Sequence, residues 1–235
     1  MTNIRELYLP NSFGEAMQTL VPSISSDGLD LLQKFQDTLI EANQRVNLTR
    51  IENALDFQLK HLIDSALLIY SLRESTLSNG NYNSLLDFGT GGGIPGIPLV
   101  ILKDVEQLIL VDARRKKLDQ IRWIVTQLKL ESMRVKYEHS SWKPQDVRKY
   151  VGLNGKSDLV TARAVGPVED LLKTLSPITG KCLLLPRGPS DLDEWNYAVN
   201  LAFKLGFKHS NLLDIRVSWR TQSMRRPIFQ FFTDL

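Results

Sequence analysis

At 235 residues, with 43% hydrophobic and 23% charged side chains, the chain has the composition of a folded globular protein, long enough for one full core plus an N-terminal extension. No apolar run approaches the ~20 residues of a membrane-spanning helix, and the opening MTNIRELYLP lacks a signal peptide's apolar stretch, so a cytoplasmic protein that meets no membrane is expected. A single cysteine, Cys182 in the apolar run CLLL, and three histidines without ligand spacing exclude an intrachain disulfide and a metal site, while a net charge of +3 is a mild bias toward an anionic partner.

Residues 1–80 read as helical. Leu31, Leu32, Phe35, Leu39, Ile40 and Val46 recur at helical spacing, and Leu59, Leu62, Ile63, Ala66, Leu67 and Tyr70 make a cleaner stripe. Opposite that stripe stand His61, Asp64 and Ser65 at i, i+3 and i+4. That is the pattern of a solvated face or of a functional one, with Asp64 placed to accept from His61. The turn-rich SNGNYN at 78–83 closes the unit.

From Ser84 the pattern changes to strand, helix, strand. Apolar or alternating runs at 84–88, 107–111, 133–138, 158–162 and 181–186 read as five strands. Helices begin near Ile94, place Leu118, Ile121, Ile124, Val125 and Leu128 on one side, and span 168–175. Ser190, with Asp193 three residues on, reads as the N-cap of a helix that buries Leu192, Trp195, Val199, Ala202 and Phe203 and ends at Gly206. The tail, 211–217 and 227–233, reads as two further strands with a polar connection. Strands alternating with helices make a parallel sheet covered on both faces, because parallel crossovers need a helix and are right-handed. The final pair closes one edge as an antiparallel hairpin. The expected fold is therefore α/β, a Rossmann-like, seven-stranded, mostly parallel sheet over 81–235 with residues 1–80 packed on it as a helical extension. This is the arrangement of class I S-adenosylmethionine-dependent methyltransferases.

The sharpest signal is LDFGTGGGIPG at 86–96, where five of fourteen glycines fall within eight positions. Glycines let the backbone turn at positive φ and approach a ligand with no Cβ in the way. Pro95 suits a first helical turn, and the N–H groups of such a turn favour carboxylate or phosphate. Residues 91–96 also satisfy G-x-G-x-x-G, so a dinucleotide must be weighed. Three features favour the methyl donor: Asp87 spells Asp-x-Gly-x-Gly, the sheet ends in a hairpin rather than a second nucleotide-binding half, and no room remains for a separate substrate domain. The cofactor-binding set is then Asp87, Gly89, Thr90, Gly91, Gly93, Ile94 and Asp112. Asp112 ends the second strand about twenty residues past the loop, where an acid accepts both ribose hydroxyls or else caps the next helix. Arg114, Arg115, Lys116 and Lys117 follow at once. Four cations oppose the helix dipole there, as a solvated run or as phosphate contacts.

Residues 86–99 (LDFGTGGGIPGIPL) resemble the glucose-inhibited division protein B family, the small-subunit ribosomal RNA methyltransferases G. The likeness extends upstream to Asn47-Leu48-Thr49 and to His61-Leu62-Ile63-Asp64-Ser65, which resemble N-L-T and H-x-x-D-S signatures. Downstream it takes in Val111-Asp112, Lys116-Lys117, Ala162-Arg163-Ala164, Arg187-Gly188 and Arg226. The resemblance implies N7-methylation of one guanine in 16S ribosomal RNA. It implies Gly89 and Ile94 on the cofactor, Arg163 near its methionine end, and Ser140 and Ser141 beside adenine. The chain departs from the family twice: His139-Ser140-Ser141 replaces Arg-x-Glu after the third strand, and Arg187 stands where the family has lysine.

Guanine N7 carries a free lone pair, so no general base is expected. Asn47, His61, Arg163 and Arg187 are the positioning candidates, and Arg114, Lys116, Lys117, Arg187 and Arg226 the RNA-binding ones, with Arg220 and Arg225 near the last turn. The implied partner is 16S ribosomal RNA or the small subunit, met by a monomer as a looped or partly unfolded target.

Overall fold

The computed structural model describes residues 4–51, 53–78, 80–130, 133–140, 146–147, 150 and 155–233. The chain opens with strand β1 (Arg5–Leu9) and helices α1 (Phe13–Leu20), α2 (Ser26–Asn43) and α3 (Ala54–Phe57). A π-helical turn (Gln58–Ile63) runs directly into α4 (Asp64–Glu74). Then come β2 (Ser84–Phe88), α5 (Gly96–Leu102), β3 (Gln107–Asp112), α6 (Arg115–Gln127), β4 (Arg134–His139) and β5 (Ser157–Ala162). The chain continues through α7 (Val168–Leu175), β6 (Thr179–Pro186), α8 (Trp195–Lys204), β7 (His209–Trp219) and β8 (Gln222–Phe232).

The sheet has eight strands in the order β1-β7-β8-β6-β5-β2-β3-β4. Strands β2 to β6 pair in parallel, while β8 runs antiparallel to both β6 and β7, the hairpin read from the tail. The eighth strand corrects the expected seven. Residues 5–9 do not join the helical extension but lie parallel to β7, with Leu7 opposite Val217 and Leu9 opposite Trp219. Leu9 is buried and Tyr8 is 78% exposed, the period-2 pattern of an edge strand that five residues were too few to announce.

Three further readings change. The polar connection expected between the last strands is itself strand, leaving a tight turn at Arg220 with φ of 53°. Ser190 is not the cap: the chain makes a 3₁₀ turn over Pro189–Glu194, and Asp191 accepts the Gly188 N–H at 3.1 Å. Phe203 lies on the outer face of α8, 52% exposed, while Ala198 and Ala202 meet the sheet.

Alternation along the strands divides the core. Leu85 joins the cluster shared with α1, α2, α4, α5 and α6, and Leu86 joins the cluster under α7 and α8. The N-terminal helices and the sheet thus share one apolar layer. Within it α2, capped by Ser25 accepting the Gly28 N–H at 3.1 Å, buries Leu32, Phe35 and Leu39. From β2 the chain winds outward through β3 to β4, and from β5 the other way to β6. Strand order therefore reverses between β2 and β5, the place where such sheets open a crevice at the carboxyl ends of their strands. Among the described residues no helix is long and apolar enough to cross a membrane.

Candidate functional site

The loop after β2 is held from within. Asp87 is fully buried, and its Oδ2 accepts from Thr90 Oγ1 at 2.6 Å and from the Gly96 N–H at 2.9 Å. Gly89 and Thr90 both donate to Val111 O at 2.9 Å, and Gly93 and Ile94 donate to Thr90 O at 2.9 and 3.1 Å. The sequence reading expected free amides and a proline inside the first helical turn. Instead the Gly89, Thr90 and Gly91 amides bind the end of β3, those of Gly93 and Ile94 close the loop on Thr90, and Pro95 immediately precedes α5. Asp87 accordingly braces the loop rather than facing a ligand, and burial pushes its carboxyl up to about 6.

What the loop presents is a backbone surface free of Cβ atoms. Gly89 has φ of 71°, and a Cβ there would meet Val165 Cγ2 at 2.3 Å. Gly89→Ala is therefore expected to combine a strained dihedral with a clash against Val165 across the loop. Calorimetric titration with S-adenosylmethionine should show affinity falling by at least about tenfold, the equivalent of 1.4 kcal/mol. Unchanged affinity would remove Gly89 from the cofactor set.

Two cavities meet across this loop. The larger, about 480 Å³, is lined by Phe88, Gly89, Asp112, Arg114, Lys117 and Ser140, with Val165 and Gly166 opposite. Asp112 Oδ2 accepts the Gly91 N–H at 2.9 Å and Oδ1 the Arg114 N–H at 2.8 Å. A carboxylate offers about four lone-pair sites, so Asp112 ties the glycine loop and the residue before α6 to the end of β3 and still has acceptor capacity in the wall of the cavity. The helix-cap reading of this residue is not met, since the first turn of α6 has no side-chain cap hydrogen bond. Ser140 lines the same space, whereas Ser141 lies outside the described residues. Arg114 and Lys116 are exposed and Lys117 half-buried at the mouth.

The smaller cavity, about 210 Å³, shares Gly89, Gly91 and Ala164 with the first and adds Leu48, Thr49, His61, Thr90, Ile94 and Arg163. Ala164, at the seam, takes φ of 54°, a conformation that non-glycine residues adopt at a cost and that clusters at functional sites. Asn47 is exposed beside this cavity rather than in it. The residue that shapes the segment is Asn43, at the end of α2, whose Oδ1 accepts from the Leu48 and Thr49 N–H groups at 2.7 and 2.9 Å. An asparagine as the last residue of a helix is the sequence signal for such a contact.

Beneath this cavity His61, Asp64 and Ser65 are 7%, 1% and 1% exposed, so the face opposite the apolar stripe is not solvated. Nor does Asp64 accept from His61. Asp64 joins two arginines: Arg226 Nε donates to Oδ1 at 2.6 Å, and Arg163 Nη1 lies 3.2 Å from Oδ2 as an ion pair without hydrogen-bond alignment. Arg163 Nη2 donates to Lys60 O at 2.7 Å. His61 touches Thr49 Oγ1 through Nε2 at 2.8 Å. Desolvation first, and Arg163 second, pull the imidazole down to about 4, so it is neutral at pH 7.

The same contacts correct two RNA-binding assignments. Arg226 is tied to Asp64 and donates to Arg187 O at 2.9 Å. Arg187, only 7% exposed, donates to Gly166 O at 3.1 Å and pairs with Asp191 and Glu194. The Arg226 guanidinium joins β8 to α4 and to the end of β6, the Arg187 guanidinium joins the loop after β5 to the turn after β6, and both are paired with carboxylates. Arg225, bound through two nitrogens to buried Asp214 at 3.0 and 2.6 Å, is likewise committed. Among the described residues no group of three His, Cys, Asp or Glu side chains could hold a metal ion. Cys182 is buried with its thiol pushed up by desolvation, a core residue.

The fold is shared with solved methyltransferases. An O-methyltransferase from Bacillus cereus in complex with SAH superposes with a TM-score of 0.57 at 12% identity, over 84% of this chain and 90% of that one. The magnesium protoporphyrin IX methyltransferase of Synechocystis with bound SAM superposes at 0.55 and 16% identity, over 89% and 98%. Among curated proteins, the ribosomal RNA small subunit methyltransferase G of Desulfitobacterium hafniense is 32% identical over 164 residues, 70% of this chain and 64% of that protein. Its counterpart in Caldanaerobacter subterraneus is 29% identical over 212 residues, 86% of this chain and 84% of that protein. The family model for rRNA small subunit methyltransferase G, GidB, matches residues 29–221, a span that contains both cavities, the glycine loop and the Asp64–Arg163 pair, with Arg226 just beyond it. The chain belongs to the rRNA small subunit methyltransferase G family.

Proposed function

We infer that this protein is an S-adenosylmethionine-dependent methyltransferase that modifies N7 of a guanine in 16S ribosomal RNA. The observation that carries the reading is the pair of cavities joined across the glycine loop at the switch point. One is a nucleoside-sized crevice with the Asp112 carboxylate in its wall, and the other a smaller chamber lined by Thr49, His61 and Arg163.

The residues fit the cofactor. The Gly89 and Gly91 backbone gives a flat floor, Asp112 has acceptor capacity for ribose hydroxyls, and Ser140 stands at the far end for the adenine side. When bound, S-adenosylmethionine supplies an electrophilic methyl group. The protein's part is to bind, orient and exclude water. N7 reacts without losing a proton, which agrees with a chamber whose imidazole is neutral, bonded to Thr49 through Nε2 and facing Arg163 through Nδ1, rather than poised as a base. Holding the reactants in line can contribute about 7–11 kcal/mol. Arg114 and Lys117 in the lining of the larger cavity, with Lys116 exposed between them in sequence, suit a polyanionic substrate, and a ribosomal RNA target agrees with a cytoplasmic protein.

The purified protein is expected to transfer labelled methyl groups to 16S RNA from cells lacking this gene, with digestion yielding 7-methylguanosine. Activity should fall steeply between 50 and 200 mM salt, because phosphate contacts release counterions. Absence of 7-methylguanosine, or transfer to small molecules alone, would overturn the assignment.

A further inference from the structure

The smaller cavity has four polar side chains in its wall: Thr49, His61, Thr90 and Arg163. Three are already committed. Thr90 donates its hydroxyl hydrogen to Asp87 Oδ2 at 2.6 Å. Arg163 is divided between Asp64 and the Lys60 carbonyl, at 3.2 and 2.7 Å. His61 is engaged at both nitrogens, with Nε2 on Thr49 Oγ1 at 2.8 Å and Nδ1 between Lys60 O at 3.0 Å and Arg163 Nη2 at 3.2 Å.

The fourth, Thr49, turns on where the single imidazole hydrogen lies. A hydrogen on Nδ1 would stand against the donor hydrogens of the Arg163 guanidinium, whose Nη2 lies 3.2 Å away. The hydrogen therefore belongs on Nε2, an assignment made from the surrounding charges. His61 Nε2–H then donates to Thr49 Oγ1, which also accepts the Ile51 N–H at 3.1 Å. With both lone pairs of the hydroxyl taken, its own hydrogen has one direction left, into the cavity.

We propose that Thr49 is the base-reading residue of this enzyme, its hydroxyl donating to O6 of the target guanine. This rests on the functional reading above and deepens it. N7 and O6 are neighbouring acceptors on one edge of guanine, whereas adenine presents N7 beside an amino donor. A donor locked outward by His61 accepts the first edge and opposes the second. Neutrality of the imidazole matters to this chain, since only the neutral ring leaves Nδ1 as an acceptor for Arg163.

The test is a cycle between the protein and an RNA carrying 2-aminopurine, which keeps N7 and lacks O6, at the target position. Differences in N7 reactivity and at N1 act on both proteins alike and cancel. For the wild type, kcat/KM should favour guanine. In Thr49→Val that preference should shrink by about tenfold, the worth of one hydrogen bond, while Thr49→Ser keeps it and calorimetric affinity for S-adenosylmethionine is unchanged in both. Should the valine protein fail to fold, Thr49→Ala reads the same ratio. An unaltered guanine preference in the folded valine or alanine variant would overturn the role of Thr49 and leave the methyltransferase reading standing. A wild type that methylates no guanine would overturn both.

Discussion

Replacing Asp64 with alanine is expected to destabilise the protein by about 3–5 kcal/mol, the range for removing one member of a buried ionic cluster. Asp64 is 1% exposed, and its two oxygens hold Arg163 from the loop after β5 and Arg226 from β8. Both arginine side chains are mostly enclosed, at 16% and 17% exposure. Deleting the carboxylate leaves two cations facing each other in a desolvated space. Burial already lowers the Arg163 pKa, and Asp64 is the largest influence opposing that fall. Arg226 also donates to Arg187 O, so β8 loosens from the end of β6 at the same time. Asp64→Asn keeps the shape and an acceptor and should cost less. Urea unfolding followed by circular dichroism measures the loss through the midpoint at constant slope. A change below about 1 kcal/mol would mean that water replaces the carboxylate without penalty.

This cluster also marks where the sequence stops being readable. The glycine loop, Asp112 and the order of strands were legible because their signals are local: a glycine run after an apolar strand, and an acid at the next strand end. The partners of Asp64 lie 99 and 162 positions away, at Arg163 and Arg226, and no local rule connects them. For the same reason the stretch around Arg225 and Arg226 reads as a polar loop, although its charges are matched by Asp214 and Asp64 and it forms regular strand. Arginines read as grips for RNA turn out to be the cross-links of the fold. Strand β1 escaped for a different reason. Its alternation of Leu7 and Leu9 is only one repeat long and gains meaning only from the edge of β7 beside it.

The second large effect is a pair of pH dependences that cancel. Asp87, fully buried, titrates at about 6 instead of 3.8, so between these values the folded protein holds a proton that the unfolded chain has lost. Its contribution is present below pH 3.8 and is lost as pH rises through 6, a slope of about −1.4 kcal/mol per pH unit. His61 titrates at about 4 instead of 6.5, so over nearly the same window the unfolded chain holds the proton and the folded one does not. Its contribution is present above pH 6.5 and is lost as pH falls toward 4, a slope of about +1.4 kcal/mol per pH unit. Asp87 lies buried under the glycine loop and His61 in the wall of the smaller cavity, and their slopes oppose between pH 4 and 6. Removing either group should expose the other. Asp87→Asn, whose side-chain oxygen can still accept from Thr90 and Gly96, should make stability fall on acidification relative to wild type. His61→Gln should make it fall on alkalinisation over the same window. At pH 7 and above the asparagine variant should also be the more stable of the two, since it no longer buries a charge. Denaturant midpoints measured from pH 4 to 7 give both slopes, and relative slopes of the same sign in the two variants would refute the assignment of these protons.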